Sequence, residues 1–162
     1  MPKSKPYILV VEDNKITAKL MRRYLEANDF EAVEVYDGIE ALESVKVRKP
    51  DAIMMDVMMP RLDGFGTVQA LRANPETREI PVAIITALND IATQVRAVES
   101  GADDFLTKPI EEKLIITKAR VLTSLTRERQ RIAHYRSIIT ALLGGRRSEV
   151  EEQLRDEGFL DS

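Results

Sequence analysis

The chain has 162 residues, a net charge of -3 and 44% hydrophobic residues, which sets one core-forming domain of ordinary size with at most a small appendage. It holds no cysteine and a single histidine, which excludes a disulfide framework and thiolate chemistry and argues against a zinc site. The opening Met1-Pro2-Lys3-Ser4-Lys5-Pro6 lacks the apolar core of a secretion signal, and no apolar run reaches the ~20 residues of a membrane span, so a cytoplasmic protein is expected.

Tyr7-Ile8-Leu9-Val10-Val11 is a short β-branched apolar run, hence a first buried strand, and it ends in Glu12-Asp13. Asn14 is a suitable N-cap for the next helix, which places Ile16, Leu20, Met21 and Leu25 at helical spacing. Phe30 to Tyr36 alternates as a second strand. Asp37-Gly38 is a turn, and Ile39, Leu42 and Val45 give the following helix an apolar face.

The third strand is Ala52-Ile53-Met54-Met55-Asp56, an unbroken apolar run closed by one aspartate, followed by Val57-Met58-Met59-Pro60. Such a run reads as a strand buried on both faces, as in a parallel sheet. Asp63-Gly64 is a turn, and Phe65, Val68 and Leu71 repeat along a helix that ends near Asn74-Pro75. Residues 80–85 form a fourth strand with Thr86 as its last residue. A helix with Ile91, Val95 and Val98 facing inward should stop at Gly101, a C-cap residue. Asp103-Asp104-Phe105-Leu106 is a short fifth strand running into Thr107-Lys108-Pro109, after which a long helix begins.

Strand and helix alternate five times at the interval that right-handed βαβ crossovers require. The expected fold is α/β: a doubly wound, five-stranded parallel sheet, flavodoxin-like in its order 2-1-3-4-5, with a C-terminal helical extension. The crevice then lies between strands 1 and 3, the two that end in Glu12-Asp13 and Asp56. Three carboxylates at one sheet edge repel one another, and a hard divalent cation relieves that. Asp13 and Asp56 are candidate direct ligands of Mg²⁺, with Glu12 through water and the backbone carbonyl of Met58. Thr86 and Lys108 reach the same edge, and a hydroxyl and an ammonium opposite a cation make a cradle for a phosphoryl group. Asp56 is then a natural covalent acceptor.

Glu12-Asp13, Asp56 with Met58-Met59-Pro60, Asp63-Gly64, Thr86-Ala87 and Phe105-Leu106-Thr107-Lys108-Pro109 together resemble the signature of a response-regulator receiver domain over about residues 6–125. The resemblance implies that Asp56 takes a phosphoryl group from a histidine kinase or phosphotransfer protein, that Glu12 and Asp13 hold Mg²⁺, and that Lys108 binds phosphoryl oxygens beside a cis Pro109. It implies that Thr86 moves toward the phosphoryl group and that Phe105 is the aromatic switch. The family often carries tyrosine there, so Phe105 keeps the packing but not the hydroxyl. Met58 and Leu88 flank the path of an attacking water in this family. Both are apolar, so slow loss of the phosphoryl group is expected. The chain is expected to be a switch that catalyses only its own phosphoryl transfer and dephosphorylation.

The organisation expected is a receiver over 1–125 and a helical extension over 126–162. In the extension the fifth helix continues to about 143, Gly144-Gly145 turns the chain, and Ser148 with Glu151 opens a short acidic helix over 149–157. Leu114, Val121, Leu125, Ile132, Tyr135, Ile139 and Leu142, with Lys118 and Glu128 between them, keep an alternating 4-3 spacing. The first half should pack on the sheet and the second half present a narrow seam, which points to a homodimer through the extended helix. A hinge near Arg127-Glu128-Arg129 is the alternative. Residues 113–147 carry nine lysines or arginines against Glu128 alone, whereas residues 148–162 carry six acids against Arg155. A recognition helix facing phosphates should not be acidic, so DNA binding by the last helix is not expected; the basic helix itself remains a candidate for nucleic acid. The receiver stretch is also similar to those that precede cyclic-dinucleotide enzyme domains, which makes a receiver fragment the alternative reading, although the ending at Gly158-Phe159 suggests a natural terminus.

Overall fold

The computed structural model describes residues 4–87 and 90–144, together with positions 152 and 156. The chain divides into two compact units, 1–126 and 127–162, each described by itself. The elements are β1 (Tyr7–Val11), α1 (Lys15–Glu26), β2 (Glu31–Val35), α2 (Gly38–Val47), β3 (Ala52–Asp56), α3 (Gly64–Ala73), β4 (Val82–Thr86), α4 (Ile91–Ser100), β5 (Asp104–Thr107) and α5 (Glu112–Leu143). All strand pairs are parallel, as the alternation predicts, and the order is the expected β2-β1-β3-β4-β5.

Strand periodicity builds two cores from the same residues. Ile8, Val10, Ala52, Met54, Ala83 and Ile85 point to one face, where Met21 and Leu25 of α1 and Ile115, Ala119 and Leu122 of α5 cover them. Leu9, Val11, Ile53, Met55, Val82 and Ile84 point to the other, under Ala41 and Val45 of α2, Phe65, Val68 and Leu71 of α3, and Ala97 of α4. β1, β3 and β4 are therefore buried on both faces, which is why they read as unbroken apolar runs. Thr126, the last residue of the first unit, donates its hydroxyl to the Asp51 carbonyl at 2.6 Å and ties α5 to the amino-terminal end of β3.

Helix ends follow local chemistry. Asn14 accepts from the amides of Ile16 and Thr17, and Asp63 and Asp90 cap α3 and α4 in the same way. Gly101 closes α4 at φ +95°, the left-handed backbone for which glycine is suited.

The buried faces of the helices differ from those that the apolar spacing predicts. On α1 the buried stripe is Ala18, Met21 and Leu25, whereas Ile16 is 83% exposed and Leu20 is exposed too. On α4 the apolar stripe Ile91, Val95 and Val98 faces outward, with Ile91 80% and Val98 71% exposed, and Thr93, Ala97 and Ser100 face the sheet. Small side chains suit a helix pressed closely on a sheet, and the Ser100 hydroxyl is satisfied within its own helix by the Ala97 carbonyl at 2.7 Å. On α2 the buried positions are Gly38, Ala41 and Val45, and Ile39 is exposed. β5 begins at Asp104 rather than at Asp103, which still donates its N–H to Val82 O at 2.9 Å and whose carboxylate accepts from Val82 N at 2.8 Å and from Arg72 at 2.9 Å. α5 packs on the sheet through Ile115, Ile116, Ala119, Leu122 and Thr123, so the 4-3 residues Leu114, Val121 and Leu125 stay exposed even in its first half.

α5 keeps helical backbone through Arg127-Glu128-Arg129. Of the acidic helix expected over 149–157, positions Glu152 and Asp156 are helical and the remainder lies outside the described residues, as do Gly145 and the ending at Gly158-Phe159. No helix among the described residues is long and apolar enough to cross a membrane.

Candidate functional site

Parallel strands bring their carboxyl ends to one rim. Val11 is level with Met55, Asp56 with Ile85, and Thr86 with Thr107, so Glu12, Asp56, Thr86 and Lys108 all fall at that rim from four different strands. The β1 end is held by Glu12 N donating to Val35 O at 3.1 Å, and the β5 end by Lys108 N donating to Thr86 O at 2.8 Å. The Lys108–Pro109 peptide bond is cis.

Glu12 is 1% exposed and Asp56 4%, while Asp13 is open to solvent. One oxygen from each of the three lies within 4.8 Å of the others. The Lys108 ammonium sits 3.3 Å from Asp56 Oδ1 and 3.3 Å from Glu12 Oε2. Apart from that ammonium, the buried Glu12 Oε2 has no hydrogen-bond partner among the described residues. Its other oxygen accepts only weakly, from Asn14 N at 3.3 Å.

Burial is the main force on these groups. It pushes the Asp56 carboxyl above its ordinary 3.8, with Asp13 adding to the rise and Lys108 opposing it. Burial and the neighbouring Asp56 likewise push Glu12 above 4.5 against the pull of Lys108. Burial lowers Lys108, but Asp56 and Glu12 outweigh it and hold the ammonium above 10.5. The lysine is therefore charged at neutral pH, and its single charge does not fully compensate the acids around it.

This donor set fits Mg²⁺. The oxygens are all hard, an octahedral ion holds opposite ligands about 4 Å apart, and the one Lys108 ammonium leaves three neighbouring carboxylates undercompensated. A pH dependence follows. Because Asp56 and Glu12 are raised in the folded chain, the folded state holds more protons than the unfolded one, and their contribution to metal-free stability falls as pH rises from the ordinary carboxylate range through their raised values. A bound divalent cation selects the ionised forms, so the gain in melting temperature between EDTA and Mg²⁺ should grow from about pH 5 to pH 8. A gain that is flat across that range would contradict the assigned shifts.

Thr86 is buried, and it shares with Phe105 the sheet face covered by α2, α3 and α4, Phe105 being half-buried against that core. Met58 is 68% exposed in the loop after Asp56. Leu88, its expected partner beside the site, lies outside the described residues. Residues that spacing does not reveal also shape this rim. Gly64 packs against the backbone of Asp56, and Arg61 pairs with Asp37 across 24 positions. The only signal for the first was Asp63-Gly64, which reads equally well as a turn.

Known proteins resemble this chain in sequence and in fold. The family model described as the response regulator receiver domain matches residues 8–120. The chain is 42% identical over 116 residues to response regulator PleD of Caulobacter vibrioides, covering 72% of this chain and 26% of that protein. It is 36% identical over 120 residues to response regulator MprA of Mycobacterium ulcerans, covering 74% of this chain and 51% of that one. It thus spans about a quarter to a half of the length of these relatives. Among solved structures, the receiver domain of a sensor histidine kinase from Pseudomonas aeruginosa PAO1, which carries a magnesium ion coordinated in its active site cleft, superposes with a TM-score of 0.69 at 28% identity, covering 74% of this chain and 98% of that one.

Proposed function

The chain belongs to the response-regulator receiver family, a family of signalling switches, and from that premise we propose that it is a cytoplasmic phosphoacceptor whose acceptor is Asp56. The observation that carries the reading is the Lys108 ammonium held 3.3 Å from Asp56 Oδ1 at a rim with Glu12 and Asp13. Glu12, Asp13, Asp56 and the Met58 carbonyl would hold Mg²⁺, which supplies charge neutralisation for the phosphoryl oxygens when bound. The chain's own groups do the rest. An Asp56 carboxylate oxygen attacks phosphorus, the phosphorus–nitrogen bond to the donor histidine breaks, and the imidazole keeps the electron pair and is protonated from solvent. Lys108 holds a phosphoryl oxygen as its contact with Asp56 is given up. Thr86 at the end of β4 and Phe105 on β5 share one face of the sheet, which supports a readout in which the threonine moves toward the phosphoryl group and the aromatic ring follows. The test is incubation with acetyl phosphate and Mg²⁺, with the acid-labile phosphate mapped by mass spectrometry. It should fall on Asp56; a map placing it elsewhere would overturn the reading.

For the output, the reading is a receiver over 1–125 with a signalling extension over 126–162 that associates with a second copy. Seven apolar residues at 4-3 spacing, from Leu114 to Leu142, are exposed along α5, and apolar area left open at that spacing suits a helical partner. Molar mass in solution, measured with and without beryllium fluoride and Mg²⁺, should show a dimer in at least one of the two states. A monomer in both would remove this part of the proposal and leave the phosphoacceptor reading intact.

A further inference from the structure

The loop of residues 57–63 leads away from Asp56 and is closed at its two ends. Val57 N donates to Ile85 O at 3.0 Å, and Gly64 N donates back to Val57 O at 2.9 Å. Asp63 then caps α3 through Gly66 N at 2.7 Å. Between these ends stands Arg61, with φ +66°, a left-handed backbone that a non-glycine residue adopts at a cost and keeps only where its surroundings impose it. Its guanidinium leaves the loop for the N-cap of α2, with Nε 2.9 Å and Nη2 2.5 Å from Asp37 Oδ2. Asp37 is buried, and its other oxygen is taken by Glu40 N at 2.8 Å, so it is fixed to α2 and does not follow the loop. The same two segments touch at Gly38, where a Cβ would come within 2.7 Å of the Leu62 carbonyl.

The pair has a stabilising side, since, against the effect of burial, the Glu40 amide and the Arg61 guanidinium hold the buried Asp37 carboxyl below its ordinary value, but the Arg61 side chain is 57% exposed and its left-handed backbone costs in the other direction. What the pair does is tie to the α2 cap the loop that carries Met58. We infer that Arg61 is a positioning residue for the cation site: by holding the loop to the α2 cap, it presents the Met58 carbonyl to Glu12, Asp13 and Asp56. The inference rests on the Mg²⁺ reading of that cluster.

Through-space electrostatics and positioning predict opposite signs here. Removing a cation near a cation site should tighten Mg²⁺ binding if charge alone acts. Loss of a group that orients a ligand should weaken it, by about tenfold. The test is Mg²⁺ titration calorimetry on the unphosphorylated full chain, with thermal unfolding of each variant in EDTA. Arg61→Ala should raise the Mg²⁺ dissociation constant about tenfold, and Arg61→Lys, which can still reach Asp37, should recover most of that. Arg61→Gly removes the pair but relieves the backbone, so it should weaken Mg²⁺ as the alanine variant does while its melting temperature in EDTA lies above that of Arg61→Ala. Arg61→Gly binding Mg²⁺ as tightly as wild type, or more tightly, overturns the inference. Binding that needs Asp13, as judged by Asp13→Asn, but not Arg61 overturns this inference alone. A wild-type chain that takes up no Mg²⁺ overturns the cluster reading with it.

Discussion

Asp56→Asn should reduce incorporation of acid-labile phosphate to background, because an amide has no anionic oxygen to attack phosphorus. The same substitution should make the metal-free protein more stable. Asp56 is 4% exposed, and burial raises its carboxyl, so at neutral pH the folded chain pays to keep that group ionised. An amide of the same shape removes this penalty, and Lys108 retains Glu12 Oε2 at 3.3 Å as a counter-charge. Loss of activity together with a rise of a few degrees in melting temperature in EDTA is the pattern of a strained functional site. Mg²⁺ should reverse the order, stabilising wild type more than the variant. Incorporation at the wild-type level would overturn the assignment of Asp56. A variant less stable than wild type in EDTA would show that the Lys108 contact outweighs the burial.

Gly64→Ala should be among the most damaging single substitutions on the site side of the sheet. A Cβ at Gly64 would stand 2.5 Å from the Asp56 carbonyl oxygen, 3.0 Å from Val57 Cα and 3.2 Å from the Asp56 carbonyl carbon. All three are backbone atoms of β3 and the residue after it, and the Gly64–Val57 hydrogen bond at 2.9 Å keeps them from separating. Relief therefore requires moving the main chain that carries the acceptor, at a cost of about 3 kcal/mol. Gly66 is a control within the same helix. Its Cβ would meet the tip of Leu62 at 2.8 Å, and a flexible side-chain end gives way more cheaply than backbone. Urea denaturation should place the Gly64→Ala midpoint well below that of Gly66→Ala, and the Gly64 variant should also phosphorylate poorly. Equal midpoints would contradict the close approach of α3 to β3.

Both effects concern a rim whose composition was legible before the fold was. Glu12, Asp13, Asp56, Thr86 and Lys108 each follow a recognisable apolar run, and parallel strands of similar length deliver the residues after such runs to one edge. Strand identity rests on local signals, namely period, chain direction and crossover length, which make a parallel doubly wound sheet legible, and the order β2-β1-β3-β4-β5 is the flavodoxin-like one expected of it. The caps at Asn14 and Gly101 are local as well.

Tertiary structure alone decided the rest. α4 offers the sheet either Ile91, Val95 and Val98 or Thr93, Ala97 and Ser100, and both sets recur at helical spacing. The small set faces inward because the choice depends on how closely the helix approaches β4 and β5, not on hydrophobicity along the helix. α5 has the same ambiguity between Ile115, Ala119 and Leu122 and the exposed 4-3 stripe. Arg61 and Asp37 are ordinary charges until the loop after β3 meets the N-terminus of α2. In sequence the third strand is an apolar run ending in one aspartate; what that aspartate faces is decided at the rim, where Glu12 is buried, the Lys108 ammonium stands 3.3 Å away and Gly64 leaves no room behind the Asp56 carbonyl. Periodicity along a chain says which residues prefer to be covered, whereas distance across the fold decides which of them are.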